Sequence, residues 1–293
     1  MKIGLCLPYM KPGLTRQDFI NWFRRVDQGP FHSLSCGERV TGPTYDMRIL
    51  LSAAAAATER VHLNATLYVL PMHNAVRAAK EIASLDVMCD GRLTVTVGVG
   101  GREYDYRAVG ASFSRRFQKM DQQVAQMRKI WAGEPPFPGA DPVGPTPSRR
   151  AGPPLLAGVM GPKSMARVGH WADGIYAFSM NGENDEIKRL LAMADSAWSA
   201  AGRDTLPYRL GGFWFSLAPD SEQRLRHYVY EYLKILGHEI ASMAAAAMTR
   251  HSPAAVSEAL HNLEQAGCEE VFLVPATAEL AEIDELEELL ARR

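Results

Sequence analysis

Short runs of apolar and β-branched residues recur along this chain, separated by longer stretches whose apolar residues fall three and four positions apart. The short runs are Lys2 to Leu7, Phe31 to Ser35, Val61 to Leu70, Leu93 to Val97, Pro154 to Ala157, Asp173 to Ala177, Tyr208 to Leu217 and Glu270 to Val274, which predicts eight strands. Between them the spacing predicts helices over Asp18 to Val26, Tyr45 to Thr58, Ala75 to Met88, Arg115 to Trp131, Asp185 to Ala200 and Pro253 to Gln265. Strict alternation of the two implies a parallel sheet. Leu93 to Val97 and Val271 to Val274 are apolar or β-branched at nearly every position, as suits strands covered on both faces. Eight such units close more naturally into a (β/α)8 TIM barrel, of α/β class, than into an open sheet.

Two stretches depart from the alternation. Gly133 to Pro154 holds eight of the 18 prolines and no periodicity. Because it follows a helix and precedes a strand, it is expected as a loop on the bottom of the barrel rather than as a linker between domains. Helical sequence from Ser221 to Met248 follows the seventh strand and precedes the ordinary helix near Pro253. An insertion there sits at the catalytic mouth and reads equally as a cap or as added core.

Length and charge narrow the picture. The 293 residues, 47% of them hydrophobic, suit one barrel domain over residues 1 to 293 better than two average domains. A formal net charge of −1 without any basic block leaves no broad positive field for nucleic acid or anionic lipid. Cys6, Cys36, Cys89 and Cys268 are too dispersed for a CxxC metal site or a disulfide framework, so reduced thiols in a cytoplasm are the expectation. The opening MKIGLCLPYM is too short in apolar residues for a signal core or a membrane span, and no HExxH pattern supports a metal.

In such a barrel the chemistry belongs to the loops that follow strand ends. Those loops present Glu38 and Arg39 after strand two, His73 after strand three and GVGGREYDY, Gly98 to Tyr106, after strand four. They also present GVMGPKS, Gly158 to Ser164, after strand five and FSMN, Phe178 to Asn181, after strand six. Gly161 followed by Pro162 at a helix start leaves the amides of Lys163 and Ser164 free for an anion such as phosphate, although an ordinary Gly-Pro helix start has the same pattern. GVGG is not a dinucleotide fingerprint, since Glu103 occupies the place of the third glycine and the run follows the fourth strand. Its glycines let a flat ligand approach the backbone or simply let the chain turn. Tyr104 and Tyr106 either stack on a ring or pack at the rim.

Together these stretches resemble the bacterial luciferase-like family of flavin monooxygenases and deazaflavin-dependent dehydrogenases and reductases. The specific block runs from Thr58 to Trp131: it begins TERVHLNATLYVLPMHNAVRAAKEIASLDVMCDGRLTVTVGVGG, continues through YRAVGASFSRR and leads into QMRKIWAG. PPLLAGVMGPKSMARVGHWADGIY and HSPAAVSEALHNLEQAGCEEVFLV extend the likeness over most of the chain. The resemblance implies a non-prolyl cis peptide between Thr66 and Leu67 that buttresses a flavin ring. It implies ring and phosphate contacts from Gly100, Gly101, Met160, Gly161, Lys163 and Ser164, and matches Glu103 to an acidic base of some deazaflavin dehydrogenases. Many members carry histidine after the acidic residue that follows strand two; here Arg39 follows Glu38, and arginine cannot cycle a proton near neutral pH.

The implied activity is therefore oxidoreduction, with reduced FMN and oxygen acting on a small organic substrate and with Arg39 and His73 stabilising charge near the ring. The alternatives are hydride transfer with coenzyme F420, a deazaflavin, and a flavin-binding barrel without turnover. A separate flavin reductase and a second copy of the chain, paired through the second and third helices, are the partners the resemblance suggests.

Overall fold

The computed structural model describes residues 1 to 293. Its strands are β1 (Lys2–Cys6), β2 (Ser33–Cys36), β3 (His62–Val69), β4 (Leu93–Gly98), β5 (Leu155–Ala157), β6 (Gly174–Phe178), β7 (Tyr208–Phe215) and β8 (Glu270–Pro275). All neighbours pair in parallel, and β8 returns to β1 through Ile3 opposite Val271 and Leu5 opposite Leu273, closing an eight-stranded barrel. The alternation of β and α units that predicts this arrangement is thus the architecture of the chain.

Local signals set where the helices begin. Asn74 accepts from the Val76 and Arg77 amides at the head of Ala75–Met88, and Ser252 accepts from the Ala255 amide beside Pro253 at the head of Pro253–Ala266. Each helix then buries one face against the strands: Ile187, Leu190, Leu191, Ala194 and Trp198 do so along Asn184–Ala200. Two helices lie outside the predicted set. Glu103–Ala108 is a short turn after β4, and Ala281–Ala291 completes the eighth unit by burying Ile283, Leu286 and Leu289. The second carries an i, i+3 apolar spacing that the sequence already displays. No helix is long and apolar enough to cross a membrane. All four cysteines are free and buried.

Inside the barrel, Leu156, Tyr176, Leu210 and Phe272 pack with Leu67 as a plug. Below it a polar cavity of about 220 Å³ opens among strand starts, lined by Lys2, His32, His62 and Glu270 together with Arg149 and Pro154. The proline-rich stretch therefore does lie at the bottom. There His32 and His62 stack at 4.7 Å, and burial holds both below their ordinary value of 6.5, with Lys2, Arg60 and Arg92 adding to the effect and Glu270 opposing it. A histidine depressed in the folded state contributes stability above the unfolded pKa and loses it as the pH falls, because the unfolded chain binds the extra proton. Stability to urea should accordingly decline from pH 7.5 to 5.5, and His62→Gln should remove roughly half of the pair's share of that slope. An unchanged slope would show that the pair titrates normally.

Candidate active site

Above the plug, at the C-terminal ends of the strands, lies a cavity of about 300 Å³ with predominantly apolar walls. Position and lining favour it over the bottom cavity as the place for chemistry. Its floor is Thr66 and Leu67, joined by a cis peptide as the resemblance implies. Leu67 fits because its neighbours are glycines: a Cβ at Gly98 would stand 2.7 Å from Leu67 Cδ1, and one at Gly158 would stand 2.3 Å from Leu67 Cδ2. The ends of β4 and β5 thus yield space to a side chain of β3.

The insertion after β7 forms the helices Ser221–Leu233 and His238–Ala246. It is a cap: Tyr228 and Tyr232 of its first helix line the cavity and meet Trp214 edge-on at 6.3 and 5.2 Å, while Phe178 meets Trp214 at 4.9 Å. The Tyr228 hydroxyl reaches Met10 Sδ at 3.6 Å, so the insert spans from β7 to the loop after β1.

Of the residues nominated from sequence, Glu38, Thr66, Leu67, Gly100, Gly101 and Met160 line this cavity. Glu38 is engaged on both oxygens. Oε2 accepts the Val69 amide at 2.7 Å, and Oε1 lies 2.7 Å from His73 Nε2, which must carry the proton to bond a carboxylate. His73, tilted against Tyr68 at 4.8 Å, thus orients Glu38 from behind and does not itself line the cavity. Arg39 turns back along its own loop, donating from Nε to Thr41 O at 2.7 Å, and borders a separate groove with Lys11 and His227. Neither the Arg39 nor the His73 side chain forms part of the wall, although both were expected beside the ring.

Glu103 is exposed and also outside the cavity. The acid that turns inward on the same short helix is Asp105, 4% exposed, which accepts from both the amide (2.8 Å) and the hydroxyl of Thr41. Gly161, Lys163 and Ser164 follow Met160 just outside the wall. Ser164 caps its own turn, accepting from the Gly161 amide at 3.3 Å and donating to Gly161 O at 2.8 Å, while Lys163 is exposed.

Sequence reasoning reached Arg102 and Asp105 only as members of the Gly98 to Tyr106 stretch and Tyr228 and Tyr232 only as members of the insert, and passed over Tyr9 and Trp214; all six line the cavity. Two signals were available. Arg102 and Asp105 are three apart and share a helical face, and Tyr228 and Tyr232 are four apart on the insert. Burial raises the phenols of Tyr9, Tyr176 and Tyr228 well above their usual value and Tyr232 to a lesser degree, so all remain neutral donors near neutral pH. No histidine lines the cavity; Glu38 is engaged on both carboxylate oxygens and Asp105 on Oδ1 alone.

A family model described as luciferase-like monooxygenase matches residues 1 to 293. An uncharacterised protein of Mycobacterium tuberculosis (strain ATCC 25618 / H37Rv) is 33% identical over 178 residues, covering 56% of this chain and 60% of that protein. The chain thus spans about three fifths of the length of the curated relatives it matches. Among solved structures, monooxygenase RslO1 from Streptomyces bottropensis superposes with a TM-score of 0.79 at 19% identity, covering 100% of this chain and 98% of that one. An F420-dependent secondary alcohol dehydrogenase in complex with an F420-acetone adduct gives 0.81 at 18%, covering 98% and 97%. The oxygenating constituent of 3,6-diketocamphane monooxygenase from Pseudomonas putida, in complex with FMN, gives 0.73 at 18%, covering 100% and 97%. These structural likenesses are of fold.

Proposed function

The chain belongs to the luciferase-like monooxygenase family, and from that premise we propose that its mouth cavity binds reduced FMN and a small organic substrate, which it oxygenates. The carrying observation is the set of polar groups in the otherwise apolar wall, which offers neutral phenol donors and a guanidinium but no histidine, and whose Glu38 carboxylate is engaged on both oxygens. Hydride transfer from an alcohol needs a group that accepts the hydroxyl proton. Oxygen insertion needs donors placed where negative charge develops, and these the wall supplies.

The lining fits the cofactor. Thr66, Leu67, Gly100, Gly101 and Met160 would hold the ring against a flat apolar surface, and Gly161, Lys163 and Ser164, next along the chain from Met160, would hold the phosphate. Bound reduced FMN supplies the electrons for the reaction of oxygen with the substrate. The protein's own part is to exclude water with Phe178, Trp214 and the insert, and to keep Tyr9, Tyr176 and Tyr232 protonated toward the reacting groups. Glu38, fixed by Val69 and His73, holds the end of β3 in place.

Ser164→Asp tests the phosphate assignment. A carboxylate at this position should weaken FMN binding more than tenfold, about 1.4 kcal/mol, while riboflavin, which lacks the phosphate, changes less than twofold. Equal effects on both flavins, or none on either, would remove the loop from the site. Coenzyme F420 with hydride transfer is the second reading, favoured by Asp105, an inward-facing acid held by Thr41 through Oδ1 with Oδ2 left to accept a proton.

A further inference from the structure

The mouth holds more donors than acceptors. Glu38 and Asp105 already receive hydrogen bonds from Val69, His73 and Thr41. Tyr9, Tyr176 and Tyr232 carry hydroxyls that bond to no group of the protein. Arg102 is the one cation of the wall, and it is poorly satisfied: Nη1 reaches Tyr232 O at 3.4 Å, Nε is buried without a partner, and the side chain forms no ion pair. Burial, with Arg39 nearby, pulls its pKa below the ordinary value against the opposing pull of Asp105, so the charge is only partly compensated where it stands. A partly desolvated guanidinium with a free N–H is costly alone and favourable once an oxyanion meets it.

We propose that Arg102 sets substrate specificity, so that the enzyme acts on a planar, acceptor-rich organic anion whose carboxylate, or an equally acidic oxyanion, docks on this guanidinium. The body of that molecule packs among Trp214, Tyr228 and Tyr232. The assignment rests on reading the mouth as the shared cavity of flavin and substrate. A cofactor phosphate is the other oxyanion with the right chemistry. Arg102 lines the cavity beside Trp214, Tyr228 and Tyr232 and bonds the insert at Tyr232, whereas Lys163 and Ser164 lie outside the wall, which favours the substrate.

The test uses benzoate and its neutral isostere benzamide as probes, titrated calorimetrically at pH 7.5 into the full chain with FMN present. The wild type should prefer benzoate at least tenfold. Arg102→Gln should weaken benzoate at least tenfold and leave benzamide within twofold, and Arg102→Lys, which keeps the charge but loses the planar fork, should fall between. Thermal melting of each variant checks that the barrel remains folded. Parallel titration with FMN and riboflavin should show no change in Arg102→Gln. A wild type without preference, or an Arg102→Gln protein that keeps it, overturns the proposal. So does a variant that loses FMN but not riboflavin, which would assign the guanidinium to the cofactor phosphate. If the wild type prefers benzoate yet binds no flavin, the anion site stands and the flavin reading fails; flavin binding without the preference has the reverse meaning.

Discussion

Reduced FMN is expected to bind at least a hundredfold more tightly than reduced coenzyme F420 in anaerobic titration, a gap of about 2.7 kcal/mol. FMN ends in a phosphate monoester that can carry two charges, and the exposed Lys163 beside the head of Pro162–Val168, which forms no ion pair with a carboxylate, would be free to meet such a group. The deazaflavin's phosphate is an internal diester with one charge, so the same contacts return less. The same mouth, which no histidine lines, suits oxygen chemistry better than a hydride transfer that needs a proton relay. Tight F420 binding with negligible FMN binding would sink the monooxygenase reading and raise hydride transfer in its place. Binding of neither cofactor would remove the case for flavin catalysis.

The largest stability effect is expected at a residue far from the ring. Arg250 follows the insert, its side chain is 5% exposed, and it donates to Asn181 O, Ala255 O, Glu183 and Glu258. Its own carbonyl accepts the Ser216 amide at 3.1 Å, so it ties the root of the insert to the ends of β6 and β7. Glu183 and Glu258 are 55% and 64% exposed, and solvent screens those ion pairs to well under about 1 kcal/mol each. The greater cost of Arg250→Ala is the loss of packing and of the bonds to two backbone carbonyls, together about 2 to 4 kcal/mol. Urea denaturation should therefore show a loss of about 3 kcal/mol for Arg250→Ala and less than about 1 for Glu258→Gln. Similar losses for both would mean that the ion pair, not the buried bonding, holds the insert in place.

The barrel was legible because its signal is repeated. Runs such as Leu93 to Val97 are apolar or β-branched at every position, as suits burial on both faces, and eight strand runs alternate with helices. Gly100, Gly101 and Met160 were legible as positions after strand ends. What position cannot give is direction. Arg39 and His73 sit beside Glu38 and β3 as expected, yet one folds along its loop and the other stands behind a carboxylate. Glu103 and Asp105 are two residues apart on a short helix, and only the backbone's entry angle decides which one turns inward. The aromatic wall was largely hidden for another reason: Tyr9, Trp214 and Tyr232 come from three segments with no local pattern to unite them or to join them to Phe178.

The burial of the four thiols bears on how long such a protein would last in use. A flavin that meets oxygen without completing its reaction releases hydrogen peroxide, which attacks thiolates far faster than thiols. Burial pushes Cys6 and Cys268 up to about 12 and Cys89 up to about 11, and holds Cys36 well above its ordinary value. At pH 7 only about one Cys6 in 10⁵ is then ionised, although Cys6 lines the mouth itself. An oxidoreductase that leaks oxidant into its own cavity would thus carry there a sulfur kept in its unreactive form.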